Sequence, residues 1–88
     1  MKLSQSEVAR IIAGLQNCEC VKITCGDTTV TINPKAERRN SKTRYGAYDS
    51  VMQHVKQASR IVVNANERNQ IHYTRISDKH FQAQFLAM

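Results

Sequence analysis

Apolar residues recur along this chain first with a helical spacing and then with a strand-like one, and the sequence runs through that order twice. Val8, Ile11, Ile12 and Leu15 stand at i, i+3, i+4 and i+7, which is one stripe of a helix. Residues 4–7 read SQSE, a capping box in which the Ser4 hydroxyl and the Glu7 carboxylate satisfy each other's free amides, with Leu3 and Val8 placed as a hydrophobic staple. The helix is expected to fray at Gln16 or Asn17, after Gly14. VKITC and TTVTIN then alternate with period two around Gly26-Asp27, the composition of a two-residue hairpin turn. That turn sets Ile23 opposite Val30 and Val21 opposite Ile32 on one side, and Lys22 opposite Thr31 and Thr24 opposite Thr29 on the other. Pro34 cannot donate to a ladder and is expected to end the second strand.

In the second half, Tyr48, Val51, Met52, Val55 and Ala58 form another helical stripe, and RIVVNA followed by QIHYTRI reads as two strands around a polar loop at 66–69. Ser77 or Asp78 stands where it would cap a last short helix in which Phe81, Phe85 and Met88 share a face. The expected architecture is a single α+β domain of order α-β-β-α-β-β-α. It comprises an αββ unit over 4–33, a basic surface loop over 34–46, a second αββ unit over 47–76 and a C-terminal helix over 78–87. The two units would pair into a four-stranded antiparallel sheet with the helices packed on one face.

A chain of 88 residues is long enough to bury a core without disulfides or metal. Thirteen Lys and Arg against seven Asp and Glu give a net charge of +6, which concentrates anions locally and speeds encounters with a polyanion. Five of those thirteen cations fall within 35–44, KAERRNSKTR, beside one acid. Lys35, Arg38, Arg39, Lys42 and Arg44, interleaved with Asn40, Ser41 and Thr43, are the residue types that contact phosphate oxygens. Tyr45 and Tyr48 follow as stacking surfaces for unpaired bases. Arg10, Lys56 and Arg60 would extend the set where geometry allows. The function expected on these grounds is a small basic nucleic-acid-binding protein that grips phosphates with the 35–44 loop. If all five loop cations neutralise a phosphate, the log-log salt slope on duplex DNA is about −4.5. The competing reading of the same charges is a solvated loop that only aids solubility.

Lys22, Thr24, Thr29, Thr31, Arg60, Asn64, His72 and Thr74 would share the outer face of the sheet, a polar and positively charged plane. Only His72 offers a ring there, with Tyr73 pointing the other way, which favours DNA slightly over stacked single-stranded RNA. An ordinary solvated antiparallel face has the same alternation.

Cys18, Cys20 and Cys25 read as small buried thiols: an extended stretch from 20 to 25 separates the latter two by about 17 Å, on opposite faces, too far for one tetrahedral ion. The three histidines fall on a helix, a strand and a capping region, and there is no nucleophile elbow, Gly-rich phosphate loop or carboxylate pair. Neither enzymatic activity nor a cofactor is expected. MKLSQSEVAR is polar, and no apolar run approaches membrane-spanning length, so the expectation is a cytoplasmic protein with reduced thiols and no membrane partner.

Residues 12–20, IAGLQNCEC, resemble a degenerate form of the signature helix of LAGLIDADG homing endonucleases, whose core also runs α-β-β-α-β-β-α. Ala13, Gly14 and Leu15 match, and Glu19 falls where that family places its metal-binding acid, while Asn17 and Cys20 depart from the pattern. The resemblance covers nine residues and bears on topology only. Two further readings of partner stand beside nucleic acid. One is a non-catalytic inhibitor or adaptor whose basic loop occupies an acidic protein surface, for example a phage-encoded inhibitor of a host nucleic-acid machine. The other is a homodimer formed through an exposed sheet edge.

Overall fold

The computed structural model describes residues 1–15, 17–37 and 44–87. Along the chain these form β1 (Lys2–Ser4), α1 (Gln5–Gly14), β2 (Val21–Cys25), β3 (Thr28–Ile32), α2 (Pro34–Glu37), α3 (Arg44–Gln57), β4 (Arg60–Val63), β5 (Asn69–Ser77) and β6 (His80–Ala87). The strands build one six-stranded antiparallel sheet in the order β1-β6-β5-β4-β2-β3. The fold is a small single-domain α+β arrangement, with six strands where the sequence pattern predicts four.

The capping box starts α1 as its residues require. Ser4 Oγ accepts from Glu7 N at 3.2 Å, and Glu7 Oε1 accepts from Ser4 N at 3.3 Å, an arrangement worth about 1 kcal/mol. Val8, Ala9 and Ile12 are fully buried, Leu15 packs against them, and Ile11 stays 38% exposed at the margin of the stripe. The β2–β3 hairpin has the register that the Gly26-Asp27 turn imposes, with Gly26 at φ +61. The two halves join where β2 pairs with β4. On the inner face, Val21, Ile23, Ile61, Val63, Tyr73 and Phe81 meet Val51, Val55 and Ala58 of the α3 stripe, together with α1, in one core.

Three expectations are corrected. Residues 78–87 are not a helix: 80–87 form β6, the partner of both β5 and β1. Phe81 and Phe85 fit a helical spacing, but Phe81, Ala83 and Phe85 also alternate, and the free edge of β5 decides between the periods by offering a ladder. Asp78 and Lys79 then make the β5–β6 turn. Second, the sheet has six strands and not four, because Lys2–Ser4 also form a strand, held by β6. Third, both ends of the basic 34–46 segment are helical. Asn33 Oδ1 accepts from Ala36 N at 3.0 Å and Pro34 follows it, so the proline that ends β3 also opens α2. No helix among the described residues is long and apolar enough to cross a membrane.

Candidate nucleic-acid interface

Strand pairing sorts the charged residues onto two faces. None of the seven acids of the chain falls within a strand, whereas Lys2, Lys22, Arg60 and Arg75 do. Lys2, Lys22 and Arg60 share the face opposite the helices. There the register aligns Thr31, Lys22, Val62, His72 and Gln84 in one row across the sheet, and Thr29, Thr24, Arg60, Thr74, Gln82 and Lys2 in the next. Lys22 and Arg60 stand on adjacent strands two residues apart in level, about 8 Å between Cα atoms. The result, among the described residues, is a hydroxyl- and amide-lined plane carrying three basic side chains and no carboxylate.

Arg60 is held in place by its neighbours. Its Nη2 donates to His72 Nδ1 at 2.7 Å. A guanidinium can only donate, so that ring nitrogen is an acceptor and the proton sits on Nε2, which donates to Gln70 Oε1 at 2.9 Å. Gln70 Nε2 in turn donates to the carbonyls of Ala65 and Glu67 at 3.1 and 3.2 Å. Partial burial first, and the Arg60 charge second, lower the pKa of His72 below 6.5. The imidazole is therefore neutral at pH 7, and Arg60 is oriented by a partner that leaves its charge uncompensated.

Arg75 shows the opposite outcome. It lies on the inner face, and its guanidinium donates to the carbonyls of Ala58 (2.6 Å), Val55 (2.8 Å), Lys56 (3.2 Å), Ser77 (3.2 Å) and Asp78 (2.6 Å) and to Gln5 Oε1 (3.0 Å). Its Cζ sits 4.4 Å from the centroid of the Phe81 ring. The carbonyls of Val55 and Lys56 belong to the last turn of α3 and that of Ala58 to the residue just past its end, where a cation also opposes the helix dipole. Arg75 thus ties α3, α1 and the β5–β6 turn together and has no donor left for a ligand.

The residues singled out in the sequence do not converge on one surface. Lys35 is in α2, where its Nζ lies 3.2 Å from Glu19 Oε1. Arg38, Arg39 and Lys42 lie outside the described residues. Arg44 and Tyr45 occupy the first turn of α3, which contains no acid, and their side chains also fall outside what is described. Arg10 on α1 and Lys56 on α3 are exposed in the helical layer, while Arg60 is on the far side of the sheet. Asn64 leaves the sheet face in the turn after β4, at φ +57. Tyr73 is buried, which pushes its hydroxyl pKa up from 10. Lys2 and the Arg75 clamp were not singled out, although odd-numbered Ile71, Tyr73 and Arg75 already share one side of a strand.

Of the thiols, Cys18 is buried, and Cys20 and Cys25 are half-buried. No group of three or more His, Cys, Asp or Glu among the described residues is placed to hold a metal ion. Glu19, the acid that the LAGLIDADG resemblance assigns to metal, lies beyond the end of α1 and pairs with Lys35. The chain matches no protein-family model, no curated protein and no solved structure at a significant level.

Proposed function

We propose that this protein binds nucleic acid through the phosphate backbone, with the outer face of the sheet as one contact surface and the basic 35–44 segment as a second. The observation that carries the proposal is the acid-free plane on which Lys2, Lys22 and the His72-oriented Arg60 stand among threonines and glutamines. Cations and small hydrogen-bond donors are what phosphate oxygens recruit. The plane has no exposed six-membered aromatic ring for base stacking, so the reading favours duplex DNA over single strands.

Fluorescence anisotropy of a labelled duplex, titrated at several salt concentrations, tests this. Three phosphate contacts from Lys2, Lys22 and Arg60 contribute about −2.7 to the log-log salt slope. The triple change Lys2→Gln, Lys22→Gln and Arg60→Gln should remove that part of the slope, while Arg38, Arg39, Lys42 and Arg44 changed to Ala should remove the contribution of the other surface. A slope near zero for the unaltered protein rejects the proposal. So does a stoichiometric protein partner that survives nuclease treatment when purified DNA and RNA fail to bind.

A further inference from the structure

The β2–β3 hairpin ends the sheet, and β3 has no neighbour among the described strands on its outer side. Ser59 N donates to Thr24 O at 2.8 Å and Ala65 N to Cys20 O at 3.1 Å, so the main-chain groups of the even-numbered β2 residues face β4 and those of Val21, Ile23 and Cys25 face β3. Opposite these lie Ile32, Val30 and Thr28. The N–H and C=O groups of Thr29 and Thr31 therefore point outward from the sheet, where no described strand meets them.

Exposed edges are usually blunted by a lysine, a proline, a bulge or a covering segment. β3 is TTVTI, β-branched throughout and uncharged, paired with β2 without a register shift, and Pro34 comes only after it ends. The opposite edge differs, because β1 covers the first half of β6.

We infer that β3 pairs antiparallel with β3 of a second copy of this chain around a two-fold axis through Val30. In that register Thr29 lies opposite Thr31 of the other copy, Val30 opposite its own equivalent, and Thr28 opposite Ile32. Both outward-pointing residues are then hydrogen-bonded, giving four main-chain bonds, while a shift of two residues keeps only two between strand positions. A shift of one places apolar positions on the polar face. Among the described residues, the pairing sets no like charges against each other. The nearest facing cations, Lys22 of each copy, are three strand spacings and two residues apart, about 16 Å, which is beyond the screening length near 8 Å at physiological salt. Closed two-fold symmetry satisfies both edges at once. The product is a twelve-stranded sheet, from two copies of the six-stranded one, with a continuous outer face.

Sedimentation of the intact chain without nucleic acid, from low micromolar to submillimolar concentration, tests the pairing separately from the proposed function. The expected result is a reversible monomer–dimer equilibrium, accompanied by amide exchange at Thr29 and Thr31 that slows as concentration rises. Thr31→Pro removes an edge donor that β2 does not use and should abolish the dimer. The double change Thr29→Lys and Thr31→Lys, whose side chains project from the solvent-facing side, should do the same by setting lysines opposite each other without touching the core. Ala87→Pro on the β6 edge should leave the dimer intact. A monomer at every concentration overturns the inference, as does a dimer that survives both β3 variants or one lost only on Ala87→Pro.

Discussion

Arg60 and Arg75 stand on neighbouring parts of one sheet and face opposite ways. Arg75, on the helix side, donates to six acceptors and lies over the Phe81 ring, and its charge is consumed in holding the end of α3. Arg60, on the far side, has one neutral imidazole to orient it and no carboxylate in its row. The same side chain is a fastener in one case and an available charge in the other, and the parity of its position along a strand decides which. A count of cations along the sequence does not measure binding capacity, because position relative to the core removes some of them from use.

The sharpest way to break the contrast is to truncate the fastener. Arg75→Ala should cost about 3 kcal/mol in urea unfolding, since it removes six hydrogen bonds and the Phe81 contact and leaves the half-buried Ala58 carbonyl without its donor, and Arg75→Lys should rescue little because an ammonium cannot span acceptors on three sides. Equal unfolding midpoints for Arg75→Ala and Arg60→Gln would erase the distinction. Arg60→Gln should change stability by less than about 0.5 kcal/mol, yet flatten the salt slope of the proposed DNA binding by about 0.9.

The smallest effect concerns His72. Its pKa in the folded protein is lowered from 6.5, so the folded state binds fewer protons than the unfolded state as the pH falls below neutrality. This contribution to stability is present above pH 6.5 and is lost as the pH falls toward the lowered value. His72→Gln should remove that slope, and unfolding midpoints measured at pH 7.5 and 5.5 for both forms would show it. Parallel behaviour of the two proteins would mean that His72 does not couple to the fold.

Much of the frame was legible because local chemistry and tertiary packing agree there. The capping box, the Gly26-Asp27 turn, the β2–β3 register and the α3 stripe all follow from spacing alone. The misreading of 78–87 has a definite source: HFQAQFLA satisfies two periods at once, and only the ladder offered by β5 selects between them. Lys2–Ser4 is three residues long, too short to show a period, and becomes a strand through contact with β6. On the functional side, Lys22, Arg60, His72 and the threonines were legible as one face, whereas the clamp made by Arg75 was not, because five of its six acceptors are main-chain carbonyls that no residue pattern encodes. Asn33-Pro34 carried both a stop and a start, and reading only the stop placed Lys35 on a loop.

The pairing of the first strand with the last also fixes how this module would tolerate being joined to something else. Met1 O accepts from Ala83 N at 2.9 Å, and Ala87 lies about 14 Å further along β6. Both ends of the described chain therefore emerge at the same end of the sheet, on its two far strands, roughly 19 to 24 Å across from β3. A tag, label or tethered neighbour attached at either end would project from there and leave the far hairpin unobstructed.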